Sequence, residues 1–204
     1  MAIREIRTIG DAILLKKSKE VREITPRIIE LIEDTFDTMH EAGGIGIAAP
    51  QVGVLKRIAI IDAIPEAKED SADVDDSDST SNSDEESSDV LDTDDTEYTI
   101  DIEDEKLGGP LILINPVIIN SEGAHKDEEG CLSVPGKRGA VTRPNKITVK
   151  AFNENMEEFE LDCEGLLARA ICHEIDHLNG VLYVDLAEDG LHDIEEDSEE
   201  NPNE

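Results

Sequence analysis

A chain of 204 residues has the length of one ordinary domain, and its formal net charge is −33. No run of about 18 apolar residues occurs, so no membrane partner is expected, and the charged start, Met1 to Arg7, lacks the apolar core of a signal peptide. Three cysteines, an odd number, argue against a disulfide framework, so a reducing, cytoplasmic location is expected, with Cys163 and Cys172 as reduced, buried small residues.

The charge is unevenly spread. Pro65–Gly108 holds 19 Asp/Glu and 2 Lys, and Glu188–Glu204 holds 9 Asp/Glu with no Lys or Arg, whereas the remainder keeps 16 Lys and Arg. This reads as two acidic appendages on an ordinary body, and such charge disfavours nucleic acid as a direct partner of either.

In chain order, Thr25-Pro26 opens a helix, with Thr as N-cap and Pro at the first helical position. Ile28, Ile29, Ile32, Phe36 and Met39 recur at helical spacing to about Glu41, a core stripe stopped by Gly43-Gly44. His40 near its end suits the helix dipole. Gly44 to Gln51 follows as a loop of small residues, suited to a tight backbone beside a ligand. It lacks the spacing and the Lys-Ser/Thr of a phosphate loop. Gln51 closes it with an amide donor able to serve a polarised oxygen. Arg57–Ile61 is a short β-prone run.

Residues 65 to 96 are rich in Ser and Asp and predict disorder; Tyr98, Ile100 and Ile102 alternate as a strand stub. Two apolar runs follow, Leu111–Ile114 and Val117–Ile119, separated by Asn115-Pro116. Glu129-Gly130-Cys131-Leu132-Ser133 offers a thiolate, with Gly130 allowing close backbone approach. Ile147–Phe152 and Met156–Leu161 read as a hairpin turning at Asn153-Glu154-Asn155. Strands that precede and surround one late helix point to an α+β fold.

That helix, Leu166 to Leu178, carries His173-Glu174-Ile175-Asp176-His177. Four residues make slightly more than one turn, so His173 and His177 share a face and can bind one metal ion. Glu174 stands beside the first ligand, in reach of a water there. The third ligand is open on spacing alone: Asp185 and Glu188 lie downstream, and Cys131 upstream would complete a two-histidine, one-cysteine site.

Gly44–Gln51, Glu129–Ser133 and His173–His177, in that order, resemble the three motifs of the peptide deformylases: Gly-x-Gly-x-Ala-Ala-x-Gln, Glu-Gly-Cys-x-Ser and His-Glu-x-x-His. The resemblance spans about Ile3 to Val184. It implies a catalytic domain over residues 1–187, with an acidic insertion at 65–108 and an acidic tail at 188–204. The implied fold packs antiparallel sheets around a central metal-binding helix. It further implies Cys131, His173 and His177 as metal ligands, with Glu174 as acid–base and Gln51 with the Leu132 N–H as oxyanion donors. Ile45, Gly46 and Gly130 would hold the peptide backbone. The implied reaction removes the formyl group from N-formylmethionyl peptides, and the family metal is usually Fe²⁺, with Zn²⁺, Ni²⁺ or Co²⁺ also accommodated.

The resemblance also implies an Asp176–Arg143 ion pair. Leu166 and Ile171 are expected to line a methionine pocket, and Arg169 to be a solvated charge. His125 and His192 match no family position. Many bacterial deformylases end in a basic helix implicated in ribosome docking. This chain ends acidic, so a transient ribosome association is not expected to run through that end. Two rival readings remain: a non-catalytic metal-bearing interaction module, and a zinc endopeptidase with a downstream third ligand.

Overall fold

A computed structural model describes residues 2–62 and 109–194. The acidic insertion, the Tyr98–Ile102 strand stub and the chain beyond Ile194 lie outside the described residues.

The order of elements is α1 (Pro26–Glu41), β1 (Gly46–Ala48), β2 (Ile58–Ile61), β3 (Leu111–Glu122), β4 (His125–Cys131), β5 (Val134–Arg143), β6 (Lys146–Phe152), β7 (Glu158–Glu164), α2 (Gly165–Asn179) and β8 (His192–Asp193). Short 3₁₀ turns sit at Ala49–Val52 and Tyr183–Asp185. The strands form two antiparallel sheets, β1-β2-β3-β6-β7 and β4-β5-β8.

Helix α1 begins as its sequence predicts: Thr25 is extended, and its hydroxyl accepts from the Ile28 N–H. Its buried stripe differs in one position. Leu31 faces inward with Ile28, Ile32 and Met39, whereas Ile29 is exposed. At 100° per residue, Ile28, Leu31, Ile32, Thr35 and Met39 fall within an arc of about 100°, and Ile29 lies well outside it.

Strand β2 is buried along its whole length because both faces of the five-stranded sheet are covered. Ile58 and Ile60 join the cluster of α1 with Ile47 and Ile114, while Ala59 and Ile61 join the cluster of α2 with Leu113, Val149 and Ile171. Ile171 is therefore core, at 0% exposure, and does not line a methionine pocket as the sequence reading expected.

The two apolar runs around Asn115-Pro116 are one strand, β3, bent by a register shift between Ile114 and Val117. Asn115 adopts φ 54°, and its side chain both accepts from the Val21 N–H (2.9 Å) and donates to the Val21 carbonyl (2.8 Å). The bend ties the N-terminal segment to the sheet instead of ending the strand. The hairpin β6–β7 turns at residues 153–157, with Asn153 Oδ1 accepting from the N–H groups of Asn155 and Glu157. Gly180 closes α2 in a left-handed conformation (φ 78°).

Candidate metal centre

Three elements deliver the site. Helix α2 presents His173 and His177 on one face, the end of β4 presents Cys131, and the turn after β1 presents Gln51. The donor atoms of Cys131, His173 and His177 all lie within 4.8 Å of one another, and Cys131 Sγ is 3.2 Å from His177 Nε2. Asp185 and Glu188 are not in this cluster. Glu188 instead pairs with Lys126.

His173 and Cys131 are held from behind, whereas His177 Nδ1 has no hydrogen-bond partner among the described residues. His173 Nδ1 meets Glu129 Oε2 at 2.9 Å, which leaves Nε2 to face Cys131. The Tyr183 ring stacks 6.0 Å from the His173 ring and its hydroxyl donates to the Lys137 carbonyl. The Ser133 N–H donates to Cys131 Sγ (3.4 Å). Gln51 is locked by its own oxygen, which accepts from the Ala48 N–H at 2.7 Å. Its amide nitrogen is thereby aimed at Cys131 Sγ (3.6 Å) and Ser133 Oγ (3.2 Å).

Glu129 is the hub, and reading the sequence missed it. Its carboxylate receives Arg143 through Nε (2.9 Å) and Nη2 (3.0 Å) and Arg169 through Nη1 (2.7 Å), besides holding His173. Arg169 is only 7% exposed and also donates to the carbonyls of Val141 and His125, which corrects the expectation of a solvated charge. The expected Arg143–Asp176 pair is present at 2.5 Å. Burial opposes ionisation of Glu129, but the hydrogen bonds and charges of His173 and Arg143 outweigh it and pull its pKa down to about 2.

The two imidazoles are biased in opposite directions. Burial works against charge on His173, yet Cys131, Glu129 and Glu174 outweigh it and push its pKa up to about 10. His177 is driven the other way by burial and by its partner His173, so it presents a neutral imidazole. A soft sulfur and two imidazoles converging in a buried pocket are the donor set of a borderline transition-metal ion.

Glu174 packs under this pocket, 4% exposed, with Oε2 lacking a hydrogen-bond partner among the described residues. Burial raises its pKa to about 7. Gly46 makes room for it: a Cβ at position 46 would lie 2.8 Å from Glu174 Oε1. Gly46→Ala is therefore expected to displace the carboxylate and lower turnover by about 10²-fold while metal content stays at the wild-type level, measured by metal analysis beside the activity assay. Gly130 differs: a Cβ there would meet Arg138 only at an ordinary 3.8 Å, so the protein itself does not demand glycine at that position.

These residues open onto a cleft of about 530 Å³ between the outer edges of β1 and β4. Ile45, Gly46, Gly130, Leu132 and Leu166 line it, together with Ile194 just past β8. A buried carboxylate without a partner, set against a soft-ligand cation site at the floor of a peptide-sized cleft, costs stability and is accounted for by chemistry. The class defined by this fold and site is a metal-dependent hydrolase.

Residues 3–191 match the family model of polypeptide deformylase. A peptide deformylase of Lachnoclostridium phytofermentans is 45% identical over 200 residues, covering 98% of each chain. Among solved structures, a peptide deformylase from Legionella pneumophila superposes with a TM-score of 0.70 at 36% identity, covering 92% of this chain and 87% of its own. That of Ehrlichia chaffeensis in complex with actinonin gives 0.71 at 33% identity, covering 92% and 90%. This chain belongs to the polypeptide deformylase family.

Proposed function

We propose that the chain hydrolyses the formamide bond of N-formylmethionyl peptides, releasing formate and a free N-terminal amine. The observation that carries this reading is the convergence of Cys131, His173 and His177 beside the buried Glu174, whose Oε2 has no hydrogen-bond partner among the described residues. Cys131, His173 and His177 would hold one divalent ion, which we assign as Fe²⁺; Zn²⁺, Ni²⁺ and Co²⁺ suit the same donors. When bound, such an ion would act as a Lewis acid toward the formyl oxygen and lower the pKa of the attacking water.

The protein does the rest. Glu174, with its pKa raised to about 7, takes the proton of the attacking water and returns it to the departing amine. The Gln51 amide and the Leu132 N–H donate to the oxyanion that develops on the formyl oxygen. The backbones of Ile45, Gly46 and Glu128–Gly130 border the cleft on two strand edges, where an extended peptide can add as a further strand. Leu166, exposed at the cleft, contributes to the apolar seat of the methionine side chain.

The three thiols are free, and an Fe²⁺–thiolate site needs reducing conditions, which supports a cytoplasmic location. No helix among the described residues is long and apolar enough to cross a membrane. Substrates of this class emerge from ribosomes, so any association is transient. The acidic 188–204 segment disfavours contact with RNA through that end. Protein purified without oxygen is expected to release formate from formyl-Met-Ala-Ser in a chelator-sensitive way. Absence of formate release from metal-replete protein would refute the reading.

A further inference from the structure

The C-terminal segment is built into the wall of the cleft. Strand β8 extends the sheet beyond β5, with Asp193 opposite Lys137 and His192 opposite Arg138, and the Ile194 N–H donates to the Gly136 carbonyl (3.1 Å). Before the strand, the Glu188 N–H donates to the Ala140 carbonyl (3.0 Å). Side chains clasp the same path: Lys137 with Asp193 (2.5 Å), His192 with Glu128 (3.1 Å), and Lys126 with Glu188 (3.1 Å) and Asp189 (2.7 Å). Gly139 lies under the crossing. A Cβ there would sit 2.9 Å from Leu191 Cδ2 and 3.0 Å from Ala187 Cβ, so β5 is shaped to receive this segment.

The result is an isoleucine held at the cleft without being buried. Ile194 is 45% exposed, yet it lines the same cleft as Ile45, Leu132 and Leu166. The cleft lies between the outer edges of β1 and β4, so a peptide entering it runs extended, and its alternate side chains fall on the same face. The reacting end must lie over Cys131, His173 and His177, so what reaches the β5–β8 wall is a later part of the peptide.

We propose that Ile194 is a specificity-determining residue: with Pro135 and Gly136 at the start of β5 it forms an apolar subsite for a side chain downstream of the formylated methionine. The proposal rests on the deformylase reading above and deepens it, since it assigns to this chain a preference for nascent chains with an apolar residue near the start.

The test compares kcat/KM for formyl-Met-Gly-Gly, formyl-Met-Leu-Gly and formyl-Met-Gly-Leu with the full-length, metal-loaded protein. Wild type is expected to prefer one leucine peptide over the glycine peptide by about tenfold, the discrimination one apolar side chain provides. Ile194→Asp should bring that ratio close to one, through KM rather than kcat. Ile194→Ala should give an intermediate ratio, and Ile194→Leu should retain the wild-type one. Because Ile194→Ala only truncates, it decides the matter if the aspartate variant folds poorly. Wild type without a leucine preference, or a preference that survives both Ile194→Asp and Ile194→Ala, would overturn the proposal. Failure to release formate from any of the three peptides would instead refute the deformylase reading, and the subsite with it.

Discussion

Glu174→Gln is expected to lower formate release from formyl-Met-Ala-Ser by about 10²–10⁴-fold while the protein keeps its full complement of metal. The amide has the size of the carboxylate, so it still fits against Gly46, and none of the three metal donors is touched. It cannot take up and return a proton at the same atom. Stability should hold or rise, because burial disfavours the charged form of Glu174 and its Oε2 has no partner to lose among the described residues. Activity, metal content and thermal unfolding of the same preparation separate the outcomes. A variant that retains more than about a tenth of wild-type turnover would remove Glu174 from proton transfer.

Glu129→Ala should do the opposite and damage the site and the fold together. The carboxylate it removes holds His173 Nδ1 and is shared by Arg143 and Arg169, both buried. Arg143 keeps Asp176, and Arg169 keeps the carbonyls of Val141 and His125, but neither keeps a buried counter-charge at this point. Leaving buried charge uncompensated typically costs about 3–5 kcal/mol. Freeing the imidazole that carries the metal typically weakens affinity by about 10–100-fold. Denaturant unfolding of the metal-free protein measures the first effect, and competitive metal titration the second. Glu129→Gln should retain part of both, since an amide can still accept from one arginine. If metal affinity in Glu129→Ala equals that of wild type, Glu129 serves the fold alone.

The difference between these two glutamates also shows what is legible in a sequence. Glu174 can be read directly, because it follows His173 immediately in the His-Glu-x-x-His pattern. His173 and His177 are legible for the same reason. Cys131 became a ligand candidate through its motif, and spacing left it in competition with Asp185 and Glu188 until the fold brought β4 against α2. The role of Glu129 is not local. It depends on Arg143 at the end of β5, and on Arg169 and His173 on α2, groups 14, 40 and 44 residues away, which no periodicity connects.

Arg169 was misread as solvated for the same reason, since a lone arginine on a helix is normally exposed. The pairing of β4 with β5 was equally hidden. The run His125–Cys131 is mostly exposed and charged, so the alternation that marks a strand is absent. At β3, Asn115-Pro116 looks like a break in the sequence and is a bend in the structure, because Asn115 finds its partner at Val21. In each case the local signal was real, and a distant contact decided its meaning.

X-ray absorption at the metal edge, on protein purified and loaded without oxygen, tests the centre most directly. The expected spectrum contains one sulfur neighbour at roughly 2.3 Å and imidazole nitrogens at roughly 2.0–2.1 Å, and the sulfur shell disappears in Cys131→Ser. A first shell of nitrogen and oxygen alone in the wild-type protein, or a sulfur shell that persists in Cys131→Ser, would contradict the assignment of Cys131, His173 and His177 to one ion.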